Sequence, residues 1–177
     1  TWTDATGRAH PASATLVDFG LFVFHNSRPL LKRNHGPYFY LPKVENRHEA
    51  RLWNSLFEHA QEALGFARGT IRATVLIESV TAAFQMDEIL YELRDHAVGL
   101  AAGRWDYVGS LITHFGLREG FTVPQRDEIR SDSPFIRAFT DLLVSTCHRR
   151  GAQALGGLST AVVESAHLPV AEPHERE

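Results

Sequence analysis

Apolar positions follow three patterns along the chain, and each predicts a different element. Leu52, Trp53, Leu56, Phe57, Ala60, Ala63 and Leu64 recur at three- and four-residue spacing, which lines them along one stripe of a helix. Asn46, three residues ahead of Glu49, resembles a capping box at its start, and Gly65 stands where a helix closes on a left-handed glycine. A second helix is expected over about 82–94, with Met86, Ile89, Leu90 and Leu93 inward. A third follows Ser133-Pro134, an N-cap and N1 proline. Phe135, Phe139, Leu142, Leu143 and Thr146 make its inner stripe, and Gly151 closes it. His148, Arg149 and Arg150 place positive charge in its last turn, where the helix dipole favours it.

Unbroken apolar or β-branched runs are the second pattern, and they predict strands buried on both faces. The turn Asn34-His35-Gly36-Pro37 leads into such a run at 38–41, and another fills 70–77. Gly99 and Gly103 read as breaks before a third short strand at about 104–108, and a fourth strand is expected at 154–158. The third pattern is ambiguous. Segment 18–31 is apolar at Phe19, Leu21, Phe22, Val23, Phe24, Leu30 and Leu31, and fits helix and strand alike. The polar stretch 1–16, with Gly7 and Pro11, reads as a surface leader or a cut edge. Residues 116–131 read as an excursion, and 159–177, with Pro169, Pro173 and four glutamates, as a loose tail. Strands and helices alternate throughout, the signature of parallel α/β construction.

Composition narrows the class. The chain has 177 residues, 44% hydrophobic and 22% charged, which suits a globular domain rather than disorder. A net charge of −3 lacks the basic excess of a nucleic-acid binder. No apolar run is long enough for a transmembrane helix, so no membrane partner is expected. A single cysteine, Cys147, cannot close an internal disulfide, which points to the cytoplasm. The chain opens on Thr1 without a signal peptide and its one methionine is Met86, so it reads as a processed chain or a piece of a longer one.

Two carboxylates stand out by position. Glu78 directly follows the run 70–77, and Asp106 lies at or near the end of the next strand. Consecutive parallel strands are usually neighbours, so both fall at the C-terminal edge of the sheet, where α/β proteins bind substrates. Two oxygen ligands there suit a hard cation such as Mg²⁺. The competing reading is that each caps a helix or pairs with an arginine. Lys43 and Glu45 follow the first strand and either line the same edge or are ordinary surface charges. Trp105 either packs beside a pocket or fills the top of the fold. Cys147 and His148 are adjacent on a helix and point apart, which makes a core cysteine the better reading than a dyad. None of the ten histidines pairs at zinc-site spacing.

The run Arg94-Asp95-His96-Ala97-Val98-Gly99-Leu100-Ala101-Ala102-Gly103-Arg104-Trp105-Asp106-Tyr107 closely resembles the signature of the malate synthases, in particular the isoform A-like members of the glyoxylate cycle. Phe24-His25-Asn26, Gly36-Pro37-Tyr38-Phe39-Tyr40-Leu41-Pro42-Lys43, Ala73-Thr74-Val75-Leu76-Ile77-Glu78 and Cys147-His148-Arg149-Arg150-Gly151-Ala152 resemble the same family in the same order. The resemblance implies a partial TIM (β/α)8 barrel over 17–158, with about four parallel strands alternating with helices. It implies an Mg²⁺-dependent condensation of acetyl-CoA with glyoxylate, followed by thioester hydrolysis to malate and CoA. The family's metal ligands fall on Glu78 and Asp106. Its glyoxylate-binding amides fall on the Gly103-Arg104-Trp105-Asp106 stretch.

The family's catalytic arginine sits in an Arg-Gly-Trp-His motif, and its aspartate base in a C-terminal domain. Neither occurs here, so the resemblance places no catalytic residue within this chain. Ala101 replaces an asparagine of the signature and Gly109 an aromatic. The alternatives are a non-catalytic fragment or remnant, and a citrate-lyase-type acyl-CoA lyase. A barrel takes eight strands and roughly 250 residues. Four strands make half of one, with open edges through which self-association is expected.

Overall fold

The polar start of the chain forms a small hairpin. Two-residue strands β1 (Trp2–Thr3) and β2 (Ala9–His10) pair antiparallel, and Trp2 stacks on His10. Asp4 organises the turn by accepting from the Thr6 and Arg8 amides and the Thr6 hydroxyl, and it meets His10 Nε2 at 2.7 Å. The computed structural model describes residues 1–157; Leu158 and the tail 159–177 lie outside the described residues.

The ambiguous segment is a helix, α1 (Ala14–Lys32), started by Ser13 and burying Phe19, Val23 and Ser27. After it comes β3 (Tyr38–Leu41) and then α2 (Arg47–Leu64). The Asn46 side chain accepts from the His48 and Glu49 amides, and Gly65 ends α2 at φ 69°. Glu49 reaches back to the amide of Glu45, one residue earlier than the usual capping box.

Strand β4 (Arg72–Ile77) is followed by two short helices, α3 (Val80–Ala83) and α4 (Met86–Glu92), where one helix is expected from sequence. Ser79 caps α3 by accepting from the Ala82 amide, and the chain re-enters helix after Gln85. The third strand needs correction. It is β5 (Ala97–Ala102), and 104–108 instead open helix α5 (Arg104–Phe115). Gly99 does not break this strand; it permits it. A Cβ there would lie 2.0 Å from the Gln153 carbonyl oxygen, next to a register shift that skips Val98.

The excursion 116–131 holds only a 3-10 turn at Arg126–Glu128. Helix α6 (Pro134–Arg149) follows, with proline at its start. The Ser133 hydroxyl accepts from the Arg130 amide and does not cap α6. Its buried stripe is Ile136, Phe139, Leu143, Thr146 and Cys147; Leu142 is exposed and Phe135 half-buried. Strand β6 (Gln153–Leu155) completes a parallel sheet in the order β3-β4-β5-β6.

Alternation along the strands separates the two faces of the sheet. Phe39, Leu41, Ala73, Val75, Ile77, Leu100 and Ala102 meet α1, α2, α4 and α6 in one core, around the fully buried Phe57, Ile89 and Cys147. Tyr38 and Tyr40 lie on the other face and are exposed. Within the core, two buried side chains hold the entry to β4. Gln61 Oε1 accepts from the Ile71 amide, and His96 Nδ1 donates to the Ile71 carbonyl, both at 2.9 Å. Four parallel strands with helices packed on one face are half of a TIM barrel, and the sheet does not close among the described residues. No described helix is long and apolar enough to cross a membrane.

Candidate functional site

Three strand ends meet at one edge. Glu78 leaves β4 directly, Asp106 lies in the first turn of α5 just past β5, and Lys43 stands two residues past β3. The pairing is parallel, so all three are at the C-terminal edge. The Gly103 amide donates to the Ile77 carbonyl at 2.8 Å and carries the ladder past the end of β5. That bond presses Gly103 against the glutamate. A Cβ at 103 would sit 2.4 Å from Glu78 Cβ and 3.2 Å from Glu78 Oε2, so only glycine fits without a shift.

Glu78 is almost wholly buried, and the Lys43 amide donates to its Oε1 at 2.6 Å. Lys43 has φ 58°, a left-handed conformation uncommon for a side-chain-bearing residue. Its side chain crosses the site, with Nζ 2.7 Å from Asp106 Oδ1 and 3.8 Å from Glu78 Oε2. Burial pushes the Glu78 carboxyl above the ordinary carboxylate value, and a hydrogen bond with Asp106 adds to the rise. Asp106 moves the other way, held down first by the Lys43 ammonium and then by Glu78. Lys43 is raised, chiefly by Asp106. The outcome is a buried carboxyl reluctant to ionise beside an exposed one that ionises readily.

The sequence leaves Lys43 open between the catalytic edge and the surface; the structure puts it at the edge, against both carboxylates. Position past a strand end was the available signal. Glu45 is exposed, and its amide serves the α2 cap. Arg104 stacks over the Trp105 ring at 5.1 Å and Arg126 approaches the same ring at 5.0 Å. Trp105 itself packs with Val108, Ile129 and Ile136 in a second, small core under the excursion. Helix α5 has no side-chain cap at Gly103. The amides of Trp105 and Asp106, in its first turn, have no acceptor within the helix and suit an anion. Cys147 is fully buried and burial raises its thiol, which fits a core role; His148 is exposed.

No group of three or more His, Cys, Asp or Glu side chains capable of holding a metal occurs among the described residues. Glu78 and Asp106 are a pair. Such a pair fits Mg²⁺, which usually takes one or two carboxylates and fills its other positions with water and substrate oxygens. An ammonium lies against both carboxylates, 2.7 Å from Asp106 Oδ1 and 3.8 Å from Glu78 Oε2. Two surface hollows lie elsewhere. One is an apolar groove of ≈ 270 Å³ between α1 and α2, and the other lies beside Glu58 and Arg68.

Comparison with known proteins agrees with the sequence resemblance. The family described as malate synthase, TIM barrel domain, matches residues 2–168. A malate synthase of Streptomyces clavuligerus is 61% identical over 148 residues, which is 83% of this chain and 27% of that protein. One from Myxococcus xanthus is 53% identical over 152 residues, 86% of this chain and 28% of that protein. The chain thus spans little more than a quarter of the length of these relatives.

Among solved structures, a Haloferax volcanii malate synthase superposes with a TM-score of 0.63 at 16% identity, covering 80% of this chain and 39% of that one. A Burkholderia xenovorans citrate lyase superposes with a TM-score of 0.57 at 22% identity, covering 72% and 38%. At those identities the two structures share the barrel fold alone, whereas the sequence kinship runs to one family. This chain belongs to the malate synthase family and carries part of its TIM-barrel domain.

Proposed function

We propose that this chain supplies the metal- and glyoxylate-binding part of a malate synthase, an acyltransferase that condenses acetyl-CoA with glyoxylate and hydrolyses the thioester to malate and CoA. The observation that carries the reading is the meeting of Glu78 and Asp106 at the C-terminal edge of adjacent parallel strands. Glu78 and Asp106 would hold Mg²⁺, which when bound supplies a Lewis acid for the aldehyde oxygen of glyoxylate. Asp106 is charged at ordinary pH, and Glu78 is fixed in orientation by the Lys43 amide. The first-turn amides of α5, over the Gly103-Arg104-Trp105-Asp106 stretch, receive the glyoxylate carboxylate. Gly103 keeps the backbone close to Glu78.

The family's arginine and aspartate base have no counterpart in the motifs of this chain, so its residues bind and orient substrate rather than move the proton. The cytoplasm is the proposed location, with no nucleic-acid or membrane partner. The test is Mg²⁺-dependent release of CoA by the full-length enzyme that contains this segment. Glu78→Ala and Asp106→Ala are each expected to lower the rate at least about a hundredfold. An unchanged rate in both variants overturns the assignment.

The open sheet favours a second reading for the 177 residues by themselves: a remnant that binds the metal or glyoxylate without turnover. Malate formation by the purified chain would exclude it.

A further inference from the structure

The Lys43 side chain has no part in the reading above, yet it reaches across the site. Two carboxyl groups lie against the same ammonium, one of them with its side chain only 4% exposed. Such a pair is stable as anions only beside a positive charge. The ammonium that provides it touches Asp106 Oδ1 at 2.7 Å and faces Glu78 Oε2 at 3.8 Å. A divalent ion shared by Glu78 and Asp106 would take oxygens from the same two groups, at about 2.0–2.1 Å for Mg²⁺. An ammonium and a metal facing those oxygens at contact distance repel each other, so each weakens the other's hold on the pair.

The two halves of Lys43 differ in freedom. Its amide is bound to the buried oxygen, Glu78 Oε1. Its side chain is 66% exposed and can swing into water without disturbing the core.

We infer that Lys43 is a displaceable stand-in cation. Its ammonium holds Glu78 and Asp106 together while the site is metal-free and leaves when a divalent ion enters. Its amide stays and keeps Glu78 in place. The inference rests on the reading of Glu78 and Asp106 as metal ligands, and it makes Lys43 a positioning residue that sets how readily metal enters.

The experiment is a titration of Mn²⁺, followed by its electron paramagnetic resonance signal, into the purified protein and its variants. Lys43→Met keeps the amide and the stem but removes the charge. It is expected to bind Mn²⁺ about three- to tenfold more tightly than the wild type. Its melting temperature should be lower without metal, and the gap should close at saturating Mn²⁺. Equal or weaker binding by Lys43→Met overturns the inference. Lys43→Arg keeps the charge and the fold, and is expected to bind no tighter than the wild type; tighter binding overturns the inference as well. Asp106→Asn separates the two levels. If the wild type binds Mn²⁺ and Asp106→Asn does not, the metal site stands whatever Lys43 does. If neither the wild type nor Lys43→Met binds, the metal site itself is overturned, and the role of Lys43 with it.

Discussion

Gly103 carries more of the site than its size suggests. It ends the ladder between β4 and β5, begins α5, and leaves no room for a methyl group against Glu78. Gly103→Ala is expected to cost about 1–3 kcal/mol, as insertions into tightly packed positions do. The same change should push the Glu78 carboxyl away from Asp106 and weaken Mn²⁺ binding. Thermal unfolding and metal titration of the variant check both, and wild-type values in the two assays would contradict the close packing. Glu78 was legible in the sequence because it directly follows a β-branched run, whereas Gly103 reads there as a break before a strand and joins the site only through the family resemblance. Lys43 was only half legible. Its place after β3 follows from the pattern, but the left-handed backbone that turns both its amide and its ammonium inward does not.

At the level of elements, α4 and α6 are joined by one carboxylate. Asp87 accepts from Arg149 at 3.1 Å and from Arg150 Nε at 2.9 Å, with a second, shorter contact to Arg150. The Arg150 hydrogen bond is the main cause that lowers Asp87 from 3.8 to about 2. A lowered acid stabilises the fold above its unfolded value and loses that contribution as the pH falls, here from 3.8 toward about 2. The side chain is about a third exposed, which limits the contribution to about 0.5–1 kcal/mol after solvent screening. Asp87→Asn should therefore lower stability at neutral pH by about that amount and flatten the decline over the acid window. Urea unfolding at several pH values checks it, and an unchanged slope would exclude the tie.

The sequence predicted α2 to its caps, because Asn46 and Gly65 impose local geometry that packing does not override. It misplaced the third strand because a glycine in a strand resembles a breaker when the neighbouring strand that requires it is unseen. Segment 18–31 stayed ambiguous for a related reason. Several of its apolar side chains, Leu21, Phe22 and Phe24 among them, are exposed, so no single buried stripe shows through.

At the level of the whole molecule, helices cover one face of the sheet, and on the other the side chains of β3 stand open to solvent. Tyr38 and Tyr40 are 65% and 57% exposed there, and β3 and β6 are edge strands among the described residues. Open edges and uncovered apolar faces favour association. The isolated chain is expected to sediment as more than a monomer at micromolar concentration and to bind a hydrophobic dye. A monomeric chain that binds no dye would contradict this.

The candidate site has a different relation to the sheet. Lys43, Glu78 and Asp106 follow three strands that are consecutive in sequence and adjacent in space. Each pair is separated by one crossover, 35 residues between Lys43 and Glu78 and 28 between Glu78 and Asp106, and the entropy of closing such loops grows only slowly with their length. The strand β6 and helix α6 contribute none of the three. On the ribosome all three candidate residues therefore emerge before α6 does, the lysine ahead of the two acids whose repulsion it offsets.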